Sequence, residues 1–579
     1  MVLIMGGMIT YAIIFLGLGL LVIAPKNEST ITTNDCIRAF WIGLVISISF
    51  LQIWHLFFPI NLTAFFIHCF VATSGFILRR RYISGFIRKL TWRKVLPTLG
   101  AGLFLALLVS FFSIDGNLHF DHGLYHLQTV LWLENYAIVP GLGNVHHRLA
   151  FNNSSFLYVA LLNKGFFSGY AYYISNSLLA WVITLQSLQS ISALINKKTI
   201  ISKKTLFYAI VFPFFIWHVK NFYFAGYSPD FFISVLQVLI AGEFISLMEK
   251  DQQDQVGIRL TATQLLVLCL LMVCVKLSGL VYALTFLIAT LIVFLIKKQP
   301  NISNGRFFIT RIMASLVIGI PWLIRSVVLS GYLVYPSSII SFNVLWKIPK
   351  SMVDPIASVI YNWSRYGNSI SPDTPFAEWL PQWLWTVPRG LKEAWILAVP
   401  LAVSMIVLFV FRRFFIKQHL GQILVILFTV SHIVYWFLLA PEIRFIGMSF
   451  WVAFSALLII CIDWINHSYA EISTKGVTLL VILFILLWLS PSIPQDFGVK
   501  LNLIRPPSEY KISSEFVSKE ALVTKTTTSG LTVYLANDYS QQCCWDLPLP
   551  CTRAADYYGK LALIDPSNMQ RGFYINYDE

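Results

Sequence analysis

The amino-acid sequence predicts a polytopic, all-α membrane protein with about fourteen transmembrane helices. Two observations lead to this class. Of the 579 residues, 57% are hydrophobic and only 12% are charged, which is too apolar a composition for a soluble globular protein. The apolar residues also recur in runs of about 17–22, the helix length that crosses the hydrocarbon core of a bilayer.

The hydropathy pattern distributes the predicted spans along most of the chain. The first residues lack a charged segment and a small-residue cleavage site, so Gly6–Ala24 is predicted to be a retained span, not a cleaved signal peptide. The predicted spans are 8–24, 40–58, 60–78, 95–112, 171–194, 206–219, 229–247, 260–275, 277–296, 308–328, 394–411, 420–439, 446–465 and 476–490.

The basic residues predict the orientation of these spans. Segment 79–94 is the most positively charged and is predicted to be cytoplasmic. Counting spans from there puts three further basic segments on the same side. The net charge of +15 is therefore attributed to membrane topology, and no nucleic-acid partner is expected. The predicted outer segments are 113–170, 220–228, 329–393, 440–445 and 491–579.

One lysine interrupts a long apolar stretch. Residues 260–296 are apolar except around Lys276, and both flanks are predicted to be cytoplasmic. This pattern predicts a helical hairpin or a re-entrant pair that turns at Lys276. The lysine either snorkels to the outer interface, pairs with a carboxylate or meets an anionic ligand.

The two longest outer segments differ in composition. Loop 329–393 is rich in Trp and Pro, which indicates a structured segment on the membrane interface whose Trp side chains could line a substrate path. The tail after residue 492 is polar and is too short for a sizeable core of its own. Its cysteines allow one disulfide, from Cys543 or Cys544 to Cys551, if the tail lies in an oxidising compartment.

Titratable side chains concentrate in residues 113–152, between two predicted spans, where five of the eleven histidines lie. Asp121 is predicted at the start of a short helix, where a carboxylate is favoured. A carboxylate there could act as a general base on an acceptor hydroxyl, and Asp115 is the alternative base. Asp121 as a plain helix cap is a further possibility.

The neighbouring histidines have more than one interpretation. His122 and His126 are four residues apart, so on a regular helix they share one face and could orient the acceptor. They could also bind a divalent metal together with Asp121 and either His146 or His147. No fixed four-ligand spacing supports that metal site, and no cofactor is required by the sequence.

Several cations lie at predicted outer ends of spans. Arg148 follows a glycine-rich turn and could hold a phosphate or a carboxylate. Arg325 and Arg444 could each be only a snorkelling anchor. Together with Lys276 they would suit the phosphate of a lipid-linked substrate at the outer interface.

Three sequence features carry a family resemblance. The acidic outer loop, the stretch from Pro321-Trp322 through Arg325 to Tyr335-Pro336, and the turn Pro441-Glu442-Ile-Arg444-Phe445 resemble the GT-C superfamily of integral membrane glycosyltransferases. The segments Asp121–Gln128 and Pro140–Asn144 are most similar to uncharacterised bacterial polytopic proteins of that type. The chain departs from familiar members by having three spans before the one that precedes the acidic loop. It also has Asp121-His122 in place of the usual Asp-Glu pair.

The resemblance implies a function and a location. It implies transfer of a sugar from a polyprenyl-phosphate donor to a glycan, lipid or protein acceptor, without a nucleotide-sugar site. The site would lie on the extracytoplasmic side of the bacterial cytoplasmic membrane, the side on which the basic residues also place the C-terminus. Asp121 would be the base, and Arg325 and Arg444 would hold the donor phosphate, with Lys276 and Arg148 as further candidates. Candidate substrate-lining residues are Tyr125, Gln128, Asn144, His146, His147, Asp230, Tyr335 and Glu442.

The predicted organisation has three parts. Residues 1–94 form accessory spans and a basic loop, 95–492 form the catalytic module, and 493–579 form a small outer region.

Two other functions remain open: a polysaccharide polymerase or O-antigen ligase with a diphosphate-linked donor, and a lipid or glycan transporter. Transporters tend to place polar residues at mid-membrane in broken helices, whereas this sequence concentrates charges at one predicted outer face.

Overall fold

The structure is mostly helical, and its long apolar helices make it a multi-pass membrane protein. The computed structural model describes residues 1–23, 31–89, 92–114, 120–195, 201–221, 226–297, 305–366, 374–386, 418–468, 476, 523–527, 529–536, 543–553 and 560–576.

The described helices follow the apolar runs of the sequence. Their bounds are α1 Val2–Val22, α2 Thr33–Trp54, α3 Leu62–Leu78, α4 Arg80–Lys89, α5 Trp92–Ser113, α6 Leu127–Asn135, α7 Ser155–Leu162, α8 Ala171–Ile195, α9 Lys203–Asn221, α10 Pro229–Glu249, α11 Gln255–Val275, α12 Leu280–Lys297, α13 Gly305–Ser330, α14 Lys350–Tyr366, α15 Phe376–Thr386, α16 Leu420–Leu439, α17 Ile443–Ile446 and α18 Ser449–Ser468.

Eight helices in the described ranges are long and apolar enough to cross a membrane, and the bent pair α3–α4 would make a ninth. The eight are α1, α2, α8, α10, α11, α12, α13 and α16. The predicted spans 95–112, 206–219 and 446–465 are also helical, as parts of α5, α9 and α18. The predicted spans 394–411 and 476–490 lie outside the described residues except for residue 476. The helical, multi-pass class is confirmed, and fourteen spans stay a prediction.

The apolar stretch 260–296 is a helical hairpin. Helix α11 ends at Val275, a single 3₁₀ turn covers Leu277–Gly279, and α12 runs back from Leu280. Each arm is long enough to span a membrane. The segment is therefore a hairpin of two spanning helices and not a pair of shorter re-entrant helices. Lys276 lies at the turn, with α10 and α16 packed beside the hairpin.

Charged groups also lie at the opposite end of the bundle. Near the C-terminus of α10, the buried Glu243 pairs with Lys204 of α9 at 2.6 Å. The Nζ of Lys297 donates to the carbonyls of Leu247 and Met248 at the end of α10. Charges therefore occur at both ends of the helices, and Lys204 and Lys297 belong to the basic segments that the sequence predicts to be cytoplasmic.

The C-terminal segment forms two small β-sheets. Strand β1 (Thr524–Thr526) pairs antiparallel with β2 (Thr532–Leu535), which pairs parallel with β3 (Cys551–Thr552). Strands β4 (Leu561–Leu563) and β5 (Phe573–Ile575) form an antiparallel pair. A disulfide joins Cys544 to Cys551, one of the two pairings that the sequence allows.

This β segment shares its core with the first outer loop. Val533 and Phe573 are buried in one apolar cluster with Trp132, Leu142 and Val145. The segment is therefore not a separate appendage, because its apolar side chains are covered by residues of the loop.

The loop after α13 contributes a helix across the end of the bundle. Buried Arg365, in the last turn of α14, donates to the carbonyls of Phe437, Leu438 and Leu439. These carbonyls belong to the last turn of α16, where backbone acceptors lack helical partners and a cation is favourable. Arg365 thereby fastens α14 to the end of α16.

Candidate active site

A cavity of about 780 Å³ lies where α11, α13 and α16 end. Val273, Trp322 and Leu439 come from these three helices, and residues 357–362 of α14 line the cavity from the loop side. Most of the wall is hydrophobic, which suits a lipid chain or a sugar ring stacked on aromatic groups. Six of the predicted site residues line it: Asp121, Tyr125, Arg148, Lys276, Tyr335 and Arg444.

Asp121 and Arg444 form an ion pair on this cavity. The Nη1 of Arg444 donates to Oδ2 of Asp121 at 2.5 Å, although the two residues are 323 positions apart. Asp121 precedes the helical turn at His122 but makes no side-chain capping bond there. Its carboxylate is therefore directed to the arginine, and the plain-cap interpretation does not describe it.

Arg444 lies in the short helix α17, between α16 and α18, and contacts further side chains besides Asp121. Its Nε lies 3.9 Å from Glu442, and its guanidinium carbon lies 5.4 Å from the centre of the Trp363 ring. Burial opposes its charge, but the carboxylates of Asp121, Asp230 and Glu442 raise the pKa of Arg444. It is therefore a permanent cation at the cavity.

Lys276 forms a second ion pair beside the first. Its ammonium donates to Asp230, the second residue of α10, and lies 4.2 Å from the centre of the Phe445 ring. Pairing with a carboxylate thus replaces the snorkelling interpretation of Lys276. The carboxylate of Asp230 contacts the Lys276 ammonium and does not bind a free backbone N–H at the start of α10. Because the two charges pair, the lysine is tolerated near the membrane.

Arg148 is the third cation on the cavity. No carboxylate lies within 4 Å of it among the described residues. Its guanidinium carbon lies 5.9 Å from the centre of the Tyr125 ring. Burial raises the pKa of Tyr125 and the carboxylate of Asp121 raises it further, so this phenol is neutral. Arg148 is therefore the cation best placed to receive an anionic group.

Arg325 does not line this cavity, contrary to its predicted role with Arg444. It is buried behind the wall, where its Nη1 donates to Nδ1 of His55 at 2.7 Å. Its Nε donates to Oδ1 of Asn152 at 3.2 Å, and Asn152 itself faces the cavity. Arg325 therefore supports the cavity wall and is separated from any substrate by Asn152.

His122 and His126 also lie away from the cavity. Residues 122–126 form a π-helical turn, and neither histidine is among the residues that line the cavity. His122 packs against Tyr172 and Tyr227, and His126 packs against Tyr125 and Phe156. The expected role of these histidines in orienting an acceptor is therefore not supported by their positions.

Gln128 and Asn144 bind the C-terminal segment. Gln128 donates to the carbonyls of Trp545 and Leu547, and Asn144 donates to the carbonyl of Phe573. Neither lines the large cavity. The glycine-rich turn before Asn144 therefore contacts a β-strand of the same chain.

His146 and His147 stack on each other with ring centres 4.8 Å apart. Burial, with Arg148 and Arg553 nearby, lowers the pKa of His147 to about 3. The pKa of His146 is also lowered, and burial is the main cause. Both rings are neutral at physiological pH, and neither lines the cavity.

The alternative metal site does not form among the residues that the structure describes. No group of three or more His, Cys, Asp or Glu side chains in those ranges is placed to hold a metal ion. The rival base Asp115 lies outside the described residues. The cavity wall takes its tryptophans from Trp322 and Trp436, and the described Trp side chains of loop 329–393 do not line it.

Sequence reasoning did not identify Asn152 or Arg365 as site-forming residues. Asn152 donates to the carbonyl of Trp322 at 2.6 Å and accepts from Arg325, so it joins the first outer loop to α13. Both partners come from positions far along the chain, and only the polar character of Asn152 in a hydrophobic stretch could have indicated it.

Comparison with known proteins identifies a family. Residues 1–452 match the family described as "Domain of unknown function (DUF8201)". No curated protein and no solved structure matches the chain.

Proposed function

This chain belongs to the DUF8201 family, and from the geometry of its cavity we propose that it is a membrane glycosyltransferase of the GT-C type. It transfers a sugar from a polyprenyl-phosphate donor to a glycan, lipid or protein acceptor outside the cytoplasm. The observation that carries this proposal is the meeting of Asp121, Arg148, Lys276 and Arg444 on one largely hydrophobic cavity at the end of the helices.

The proposed chemistry uses one carboxylate and the cations around it. The acceptor hydroxyl attacks the anomeric carbon, and the bond from that carbon to the phosphate oxygen of the donor breaks. Asp121 takes the hydroxyl proton, and the polyprenyl phosphate leaves with the bonding electrons. Arg444 and Arg148 stabilise the negative charge that develops on the phosphate, which is commonly the largest contribution of such a site.

The ion pair of Asp121 with Arg444 suggests how donor binding prepares the base. A carboxylate held by an arginine is a weak base, because the cation favours its ionised form. A donor phosphate that takes over Arg444 weakens this pair and raises the basicity of Asp121. Proton transfer is then favoured only when the donor is in place.

The charge inventory favours a monophosphate over a diphosphate donor. Arg444 and Lys276 already face Asp121 and Asp230, whereas Arg148 has no carboxylate partner among the described residues. One unpaired arginine balances a single phosphodiester charge better than two phosphates. A polymerase or O-antigen ligase, which would use a diphosphate-linked donor, is therefore the less favoured alternative.

The proposal includes the finer topology. The protein has fourteen spans, with the catalytic module at 95–492, and sits in the bacterial cytoplasmic membrane. The cavity opens on the extracytoplasmic side, since the ends of α11, α13 and α16 all lead into segments that the basic residues predict to be outside. A disulfide in the C-terminal segment fits an oxidising compartment.

The test is sugar transfer by the purified full-length protein in nanodiscs. A panel of short-chain polyprenyl-phosphate sugars, labelled in the sugar, serves as donors, with envelope glycan and lipid extracts as acceptors. We expect Asp121→Asn to lower the transfer rate by about 10²–10⁴-fold, the usual contribution of a general base. Donor binding should persist.

Asp354→Asn is the matched control, because Asp354 is an exposed carboxylate on α14 that does not line the cavity. It should transfer sugar at the wild-type rate. Equal transfer by Asp121→Asn and wild type would exclude Asp121 as the base. Movement of the labelled lipid across the bilayer without transfer would favour the transporter alternative.

A further inference from the structure

Behind the wall of the large cavity lies a second, much smaller one of about 20 Å³. Arg325, His55 and Trp132 line it, and no carboxylate is among its described lining residues. A cavity of this size has room for a single small ion or water molecule. Arg325 comes from α13, His55 from the end of α2 and Trp132 from α6, and the polar residues Thr129, Asn152 and Asn153 also line the cavity.

The hydrogen bonds of Arg325 determine which atoms of His55 can donate. A guanidinium has five N–H donors and no acceptor, so Nδ1 of His55 must accept the bond from Nη1. Burial and the nearby Arg325 lower the pKa of His55, which keeps its ring neutral. The proton of the neutral ring therefore sits on Nε2. A backbone group of Tyr136 lies close to the ring, but Nε2 is buried and makes no hydrogen bond of regular geometry in the described part of the chain.

Two more residues have N–H donors without an acceptor in the described part of the chain. The indole N–H of Trp132 is buried and has no acceptor among the described residues. Arg325 uses two of its N–H groups on His55 and Asn152, and its other three have no protein acceptor in those ranges. Donors that lack protein acceptors in the described ranges therefore lie on this otherwise mainly apolar cavity, and a buried guanidinium without a counter-ion is costly.

We propose that this cavity is a binding site for a small monovalent inorganic anion of the chloride type, held by Arg325, His55 and Trp132. Such an ion accepts hydrogen bonds from every side and compensates the buried positive charge. A water molecule offers two acceptor positions but also brings two hydrogens and no charge. A phosphate or a lipid headgroup is too large for the volume.

Three residues, Phe151, Asn152 and Asn153, line both the anion site and the large cavity. Asn152 lines both cavities, accepts from Arg325 and donates to the carbonyl of Trp322. An anion that neutralises Arg325 therefore stabilises the wall at Asn152. The inference does not depend on glycosyl transfer, since it concerns binding by the folded protein alone.

The experiment measures anion binding and unfolding temperature with full-length protein in detergent. Equilibrium dialysis with ³⁶Cl⁻ should show one saturable site from which bromide displaces the label. At constant ionic strength, sodium chloride should raise the Tm by about 2 °C or more relative to sodium gluconate. Trp132→Phe keeps an aromatic side chain but removes the indole N–H donor, so it should weaken chloride binding several-fold. Arg325→Gln should abolish it.

Arg311→Gln is the matched control, because Arg311 lies on the same helix and bonds to Thr263, away from this cavity. It should keep the chloride effect. Absence of the chloride site in wild type, or equal chloride binding by Trp132→Phe and wild type, would overturn the proposal. Trp132→Phe is the informative variant if Arg325→Gln fails to fold, and neither result would bear on the transfer assay.

Discussion

Residues 120–152 have two faces that differ in what their polar side chains contact. On the cavity face, Asp121 and Arg148 are charged, and Asp121 is paired with a residue more than 300 positions away. On the opposite face, Gln128 and Asn144 donate to backbone carbonyls of the C-terminal β segment. Both faces are rich in polar groups in the sequence. The two faces differ in what these polar groups contact. The charged side chains face a cavity, whereas the neutral amides donate hydrogen bonds to the backbone of the C-terminal β segment.

The largest expected effect tests the cavity face. Arg444→Gln removes the cation that pairs with Asp121, so we expect the transfer rate to fall by about 10²–10³-fold, the typical effect of losing one charge-stabilising donor. Arg444→Lys should recover part of this loss. Initial rates with labelled polyprenyl-phosphate sugars measure it. A wild-type rate in Arg444→Gln would show that the two faces do not differ in function.

The next effect tests the opposite face. The paired change Cys544→Ser and Cys551→Ser opens the disulfide whose loop carries Trp545, a residue bound to Gly123 and Gln128. We expect a loss of about 2 kcal/mol in the stability of the docked segment, from the entropy of the opened loop. Protease sensitivity of the C-terminal segment and the Tm measure it.

The paired cysteine change should hardly affect the cavity. If docking of the C-terminal segment is independent of catalysis, the KM for the donor should stay within about twofold of the wild-type value. A large rise in KM without a change in protease sensitivity would contradict the separation of the two faces.

The third effect, smaller than that of the opened disulfide for each pH unit of acidification, is a pH dependence of stability near Arg148. His147 has a folded-state pKa of about 3 and an ordinary value of 6.5. Below pH 6.5 the unfolded chain therefore binds a proton that the folded chain excludes, and stability falls as pH decreases towards 3. The contribution of His147 is about 1 kcal/mol per pH unit in this window. Its stabilisation is fully present above pH 6.5.

The Tm of wild type and of His147→Gln, measured from pH 7.5 to 4.5, tests this. The variant should lose less stability on acidification, because it lacks the titrating group. Parallel curves for the two proteins would show that His147 does not titrate in this window, and His146 would then be examined in the same way.

Much of the fold follows from the sequence because a bilayer leaves few choices. Apolar runs of span length must form helices, since backbone groups in hydrocarbon need internal hydrogen bonds. The hairpin at Lys276 followed from this rule once its flanks were placed on one side. The ends of helices were less predictable: α1 begins at Val2 and α2 at Thr33, several residues before the predicted starts.

The site was only partly accessible from the sequence. Arg325 and Arg444 look alike in the sequence, since each follows an apolar run near a predicted outer turn. Arg444 reaches Asp121 on the cavity, whereas Arg325 is buried against His55. The spacing of His122 and His126 relates the two rings to each other but does not show which surroundings they face, and both are packed against aromatic side chains away from the cavity.

Composition and run length are enough to predict a helical multi-pass membrane protein, because burial of apolar side chains in lipid depends on these two properties. The sequence also indicated Asp121 and Arg444 as chemically important groups. The tertiary structure alone decided which charges share the cavity, which are buried behind it and which polar residues bind the C-terminal segment. These outcomes depend on contacts between residues hundreds of positions apart, and no local pattern of the chain encodes them.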